Sequence, residues 1–309
     1  MCRQLLLLIV ICVVCGSAVA QSLGDKWLRI QSDNREFSID VPATGSYFAD
    51  KDGFLISKGT AGDFFEMKNM QMVSAINNGT LVTVESYQAK PGVIDEMVDS
   101  DKHFRAACKV SKSKSGDVTT RELTDNMASG AFLKIRYIAS KNYVYVLTAG
   151  SRNGESTEMK RFFDSMKFTP NSTHDADGDS RRFSELPVTE VHIDLHPPAQ
   201  PKASPTPTPI DPNTGEKSKR EEALIILKKP RPAYMNEARQ HSTSGVILLR
   251  ATFSPSGMIT AIEVHKSLGD GLLRQAIFAL MRLRYLPPIA GKDALQPLKK
   301  YIEYGFTLY

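Results

Sequence analysis

Past its first twenty residues, this 309-residue sequence holds a single cysteine, Cys108; the other three stand at 2, 12 and 15. No intramolecular disulfide is open to the rest of the chain, which excludes a small disulfide-stapled fold. Cys108 continues an apolar series with Ile94, Met97 and Phe104 at helical spacing, the setting of a buried structural thiol rather than a reactive one. Long hydrophobic runs are also missing. The longest, Leu5 to Val14, is ten residues, against the roughly twenty that a spanning helix needs. Catalytic signatures are missing too: no G-x-S-x-G, no H-E-x-x-H and no Gly-rich phosphate loop. Six histidines stand at 103, 174, 192, 196, 241 and 265, and no two share a ligand spacing on one expected helix. His192 and His196 are four apart but lie beside a proline-rich stretch. Neither an enzyme active site, a metal site nor a cofactor is expected.

What is present starts with an export signal. Arg3 precedes the apolar run, and Ala18-Val19-Ala20 is a small-x-small site before Gln21. Residues 1–20 are therefore read as a cleaved secretory signal, which makes the mature chain periplasmic or secreted. The alternative is an uncleaved anchor in the inner membrane with the rest of the chain facing the periplasm. A lipoprotein reading at Cys15 lacks the small residue normally found ahead of the modified cysteine, since Val13-Val14 stand there.

Residues 22–170 read as one domain. Strands are expected at Phe54–Ser57, Phe64–Ile76, Leu81–Gln88, Gly130–Ser140 and Tyr143–Ala149, with Asn78-Gly79 and Lys141-Asn142 as tight turns. Helices are expected over Gly92–Cys108 and Gly154–Met166, the second with Met159, Phe162, Phe163 and Met166 on one face. The opening Trp27…Phe37-Ser38-Ile39-Asp40-Val41-Pro42 and the closing Phe162-Phe163-Asp164-Ser165-Met166-Lys167-Phe168 resemble the PsbP-like superfamily. That resemblance implies an α/β sandwich-like domain on an antiparallel sheet, with binding or assembly roles. Residues 171–227 are rich in Asp, Ser, Pro and Thr, and seven prolines fall between 197 and 212. Such density favours extended polyproline II at roughly 3 Å per residue. A Pro-rich linker that proteases cut to leave two folded fragments is expected.

Residues 228–309 carry twelve Lys or Arg and five Asp or Glu. That balance suits an acidic or polar peptide. No aromatics interleave with the charge as a nucleic-acid platform requires, so no nucleic-acid partner is expected. Pro230-Arg231-Pro232-Ala233-Tyr234 leads into a short helical stretch; a strand follows over Gly245–Phe253, then a turn at Ser254-Pro255-Ser256-Gly257 and a second strand over Met258–Lys266. A helix is expected from Leu272 to Tyr285, with Leu273, Ala276, Ile277 and Leu280 as its apolar stripe, closing at Pro287-Pro288. The chain ends on a strand whose Leu298, Ile302, Tyr304, Phe306 and Leu308 alternate with Lys299, Tyr301, Glu303 and Thr307. Three strands and helices make a small α+β unit, and the whole chain is expected to be α+β.

These pieces, in this order and with these gaps, resemble the C-terminal domain of the TonB family of energy transducers. The most specific is Ala279-Leu280-Met281-Arg282-Leu283-Arg284-Tyr285 with Pro287. Leu283 stands where the family often has Trp, and Met235 follows Tyr234 where it often has Pro. The resemblance implies a non-enzymatic protein that grips an extended peptide of a TonB-dependent outer-membrane transporter at an open sheet edge. It also implies contact with inner-membrane motor proteins if the N-terminus stays anchored. Lys299, Tyr301 and Glu303 on the last strand, and Arg282, Arg284 and Tyr285 at the helix end, are the candidate partner-binding residues. A periplasmic adaptor or scaffold without energy transduction is the alternative, and a small-ligand role for residues 22–170 a third.

Processing tests the first of these readings. Ala20→Leu removes the small residue at the cleavage site and is expected to hold the chain at precursor size. Mass spectrometry of the unaltered protein should find Gln21 at its amino terminus; an intact Met1 in the membrane fraction would restore the anchored alternative.

Overall fold

The computed structural model describes residues 26–51, 54–58, 63–102, 108–168, 180–195, 224–288 and 297–307. The first strands are β1 (Trp27–Gln31), β2 (Phe37–Pro42), β3 (Ser46–Asp50), β4 (Phe54–Lys58), β5 (Asp63–Asn77) and β6 (Thr80–Gln88). Helix α1 (Val93–Lys102) is followed by β7 (Lys109–Ser115), β8 (Val118–Asn126), β9 (Phe132–Ala139) and β10 (Tyr143–Ser151). Then come α2 (Thr157–Asp164), β11 (Lys167–Phe168), β12 (Arg181–Arg182) and β13 (His192–Asp194). The C-terminal part holds β14 (Ile225–Lys228), α3 (Asn236–Gln240), β15 (Gly245–Phe253), β16 (Ile259–Lys266), α4 (Leu272–Met281), β17 (Arg284–Leu286) and β18 (Leu298–Phe306). The class is α+β, as expected.

An antiparallel sheet in the order β3-β5-β6-β10-β9-β8-β7, with β4 also on β5, is the centre of the molecule. Asn78 and Gly79 both adopt positive φ, 48° and 70°, and close β5 onto β6 as a two-residue hairpin. Alternation sends Val82, Val84, Tyr145 and Leu147 to one face, where α2 packs with Met159, Phe162 and Phe163. The small sheet β11-β2-β1-β12 completes that layer. Ser156 caps α2 by accepting from the Met159 N–H. The opposite face carries Met72, Tyr87, Leu133, Ile135, Tyr137 and Val144. Three strands of this sheet, β3, β7 and β8, fall outside the expected set. β7 reads Lys-Val-Ser-Lys-Ser-Lys-Ser and is almost wholly exposed, so no apolar period marks it. The helix expected over Gly92–Cys108 is described only as Val93–Lys102, and Cys108 stands half-buried just ahead of β7.

The C-terminal part builds its own sheet, β13-β16-β15-β18, and a separate pair, β14-β17. This corrects the three-stranded expectation. The added strand, β13, comes from the expected linker and pairs parallel with β16, Ile193 opposite Ile262. Also within that linker, β12 runs parallel to β1, and Phe183 and Leu186 are buried against the first part. Tyr47 and Val188 form a further bridge. The proline-dense stretch 197–212 lies outside the described residues.

Helix α4 lies between the two sheets. Eight of its ten residues are buried, including Ile277 and Phe278 as well as Ala276 and Leu280. A helix that is apolar all round is buried all round, and this one shares a single core with the central sheet. The contact is close. A Cβ on Gly257, in the β15–β16 turn with φ 85°, would lie 2.6 Å from the Leu81 side chain. One on Gly150 of β10 would lie 2.3 Å from Leu227 of β14. The expected helix end is also corrected: α4 stops at Met281, and Arg284–Leu286 is extended on β14. Pro287 disfavours helical geometry at Leu286, and the two arginines turn toward one carboxylate of the central sheet, Glu85.

Charges are buried where the two parts meet. Glu85 of β6, fully buried, accepts from Arg284 at 2.7 Å and from the Tyr87 hydroxyl, and lies 3.5 Å from Arg282. Arg282 also donates to the Tyr87 hydroxyl at 3.1 Å. Lys228 reaches within 3.0 Å of Asp101 but is not aimed to form a hydrogen bond with it. Burial by itself would raise the Glu85 carboxyl; Arg284, then Lys228, Arg282 and the Tyr87 hydroxyl, outweigh it and hold the group at about 2. Burial lowers the Lys228 ammonium, opposed by Asp101 and Glu85.

A shared core joined by a buried ion pair predicts one cooperative unfolding transition, not two fragments with independent melts. Glu85→Ala leaves Arg284 without its carboxylate and should destabilise the whole chain by about 3–5 kcal/mol in chemical denaturation. Because the folded pKa is depressed, the pair's contribution is present above the ordinary carboxylate value of 4.5 and is lost as pH falls toward about 2. A melt that resolves into two transitions, with Glu85→Ala affecting only one, would contradict the shared core.

Candidate functional site

β18 is the strand that the rest of the C-terminal part presents. It pairs antiparallel with β15 along its length, from Gly245 opposite Phe306 to Phe253 opposite Leu298. Among the described residues no strand lies on its other side. Ile302, Tyr304 and Phe306 are buried toward α4, as the period of two predicts. Lys299, Tyr301 and Glu303 are exposed on the outer face. Two of these outer residues are held in place by β16. Lys299 lies 3.1 Å from Glu263, and the Tyr301 ring meets His265 edge-on at 4.9 Å. Arg250, on the intervening β15, lies 3.5 Å from Glu263. The Lys299 hydrogen bond, with Arg250 behind it, keeps the Glu263 carboxyl below its ordinary range.

The direction of the β18 main chain follows from one contact. Lys229 Nζ donates to the Glu303 carbonyl at 3.0 Å. In an antiparallel ladder every second residue turns its N–H and C=O to the partner, and the others turn theirs away. A side chain arriving from beyond the sheet marks Glu303 as one of the outward set. Lys299, Tyr301 and Gly305 belong to the same set. These residues therefore offer a row of main-chain donors and acceptors along an open edge, which is what strand addition uses.

The structure divides the six expected partner-binding residues into two groups. Lys299, Tyr301 and Glu303 stand together on β18. Arg282, Arg284 and Tyr285 do not join them: they are 5 %, 1 % and 0 % exposed. The arginines are engaged by Glu85 and Tyr87, and the Tyr285 hydroxyl donates to the carbonyls of Ser254 at 2.6 Å and Met258 at 2.8 Å. A run of Arg-x-Arg at a helix end reads as solvated in sequence because its acidic partner, Glu85, lies some two hundred residues away. Lys229 is the residue at this edge that sequence reasoning missed. Its only signal was a lysine pair, Lys228-Lys229, placed just before Pro230.

Another cluster has ligand-type atoms but an evident structural role. Glu237, His241 and Asp270 bring such atoms within 4.8 Å of one another. His241 Nδ1 is 3.1 Å from one Asp270 oxygen, and the Thr243 hydroxyl donates to the other, which clasps the end of α3 to the turn before α4. Between β7, β8 and the end of α2 lies an open cleft of about 420 Å³. Its Arg136 is already tied to Glu122 at 2.8 Å.

Among the described residues no helix is long and apolar enough to cross a membrane. No curated protein matches the chain. Residues 230–306, the segment that runs from just after β14 to the end of β18, match the family described as Gram-negative bacterial TonB protein C-terminal, a non-enzymatic domain of energy transduction and protein interaction found in periplasmic or envelope-associated proteins.

Proposed function

We propose that this chain is a TonB-like envelope protein whose β18 edge takes up an extended segment of a TonB-dependent outer-membrane transporter by strand addition. The observation that carries the reading is the row of outward main-chain groups on β18, inside the segment that matches the TonB C-terminal family. Domains of that family interact with outer-membrane transporters generally. Main-chain hydrogen bonds would supply most of the affinity, while Lys299, Tyr301 and Glu303 tune it from the outer face. A second reading, an envelope adaptor without energy transduction, is favoured by Ala18-Val19-Ala20. Cleavage there would remove the longest apolar run, Leu5 to Val14, from the mature chain.

Proline substitution separates the two sides of β18. At Tyr301 the lost N–H faces the open edge, where proline is tolerated, so Tyr301→Pro should keep its circular dichroism spectrum. Loss of one ladder bond, about 1 kcal/mol, together with ring bulk against the incoming strand should weaken a transporter-derived peptide at least about tenfold. Ile302→Pro, which breaks the ladder to β15, should instead lower the stability of the fold itself. If intact chain carrying Tyr301→Pro titrates such a peptide like the parent, the peptide does not add to this edge.

A further inference from the structure

Lys229 is an unusual occupant of a strand edge. The ammonium donates to the Glu303 carbonyl and lies 5.2 Å from the centre of the Tyr304 ring, so it sits on the core side of the open edge. Its side chain is half-buried, and burial lowers its pKa, with Glu303 opposing. No carboxylate is within ion-pair distance among the described residues: the Glu303 carboxylate acts on the ammonium only from farther off, and the direct contacts are the Glu303 carbonyl and the Tyr304 ring. The preceding residue, Lys228, is committed in the opposite direction, to Asp101. Lys299 and Lys300 add further positive charge along the same strand.

A lysine on an exposed edge keeps stray strands off. It also faces any strand that does pair. A partner N–H that takes the Glu303 carbonyl must displace Lys229, and a half-buried ammonium without a partner is unfavourable. A carboxylate on the incoming strand would restore a bond, and a charge-assisted one at that. A neutral side chain there would leave the ammonium unpaired, and a basic one would repel it. We propose that Lys229 reads the strand added to β18: it selects an extended peptide with Asp or Glu on the side chain that faces the Tyr304 side, and rejects one with Lys or Arg there. This rests on the strand-addition reading of β18 and names the chemistry of the peptide that the edge prefers.

The test uses the intact mature chain and a transporter-derived peptide of about eight residues, made with Asp, Asn and Lys at each position in turn. Calorimetric titration should find one position at which Asp binds at least about tenfold more tightly than Lys, with the difference shrinking at high salt. Lys229→Met keeps the length and loses the charge; it should bring the three peptides within about twofold of one another, while Lys229→Arg keeps the order. Circular dichroism checks that each variant folds. Peptides that bind the parent chain without regard to charge, or a preference that survives Lys229→Met, would overturn the role of Lys229 and leave strand addition standing. If no peptide of the set binds, or if the Tyr301→Pro chain binds the set unchanged, strand addition itself fails and the role of Lys229 falls with it.

Discussion

The ion pair between Glu85 and Arg284 constrains more of this molecule than any other contact. Both side chains are out of solvent, and each is the other's nearest opposite charge at 2.7 Å. A pair so placed adds little stability over a well-packed apolar alternative, yet losing one member is severe. Its effect here is positional. Arg284 is the first residue of β17, so fixing it on the central sheet ends α4, aims the chain into β17 and seats β14 beside it. Lys228, the last residue of β14, then falls against Asp101, and Lys229 is turned the other way, onto β18. The polarity of two adjacent lysines, one inward and one at the edge, is thus set from the far side of the core.

Which parts of this were legible in sequence follows from the range of the interactions. Period-two alternation in β18 and the Asn78-Gly79 turn are local, and both appear in the fold at the expected residues. Met159, Phe162 and Phe163 on α2 are buried together for the same reason. The helix α4 showed a true stripe, but the remaining apolar positions, Phe278 and Met281, were the stronger signal. They mark a second buried face, and hence a second body packed on it. The arginines at its end could not be assigned from sequence, because nothing near them reveals Glu85 and Tyr87. β7 was silent because its exposed positions carry lysine and serine, and β8 because it is mostly polar and half-buried with only Val118 and Leu123 apolar; a strand with few apolar residues has no period to read.

Composition misled in another way. Residues 171–227 look like a spacer throughout, yet between 180 and 195 the chain pairs with β1, buries Phe183 and pairs again with β16. Each of those contacts is made by main-chain hydrogen bonds or by two apolar side chains, Phe183 and Leu186, so charged and polar residues such as Arg181, Arg182 and Asp194 serve elsewhere. Strand pairing places few demands on side chains that face water, which is why Asp- and Ser-rich stretches can hide it.

That last pairing decides where the C-terminal sheet can accept a partner. The strands β16, β15 and β18 alone would leave two long edges. β13 lies on β16 and covers one of them, leaving an edge of three residues there, while β18 keeps nine along the other. An open edge of that length invites indiscriminate pairing unless something limits it. Lysine at the edge is one of the few devices that both limits pairing and permits it, since a long side chain can be moved aside where a proline or a bulge cannot. With α4 buried on both faces and the central sheet docked against it, the C-terminal sheet cannot adapt by reshaping its core. Selectivity is left to what the edge itself displays: a row of main-chain groups, the outer residues Lys299, Tyr301 and Glu303, and one ammonium that an incoming strand has to satisfy.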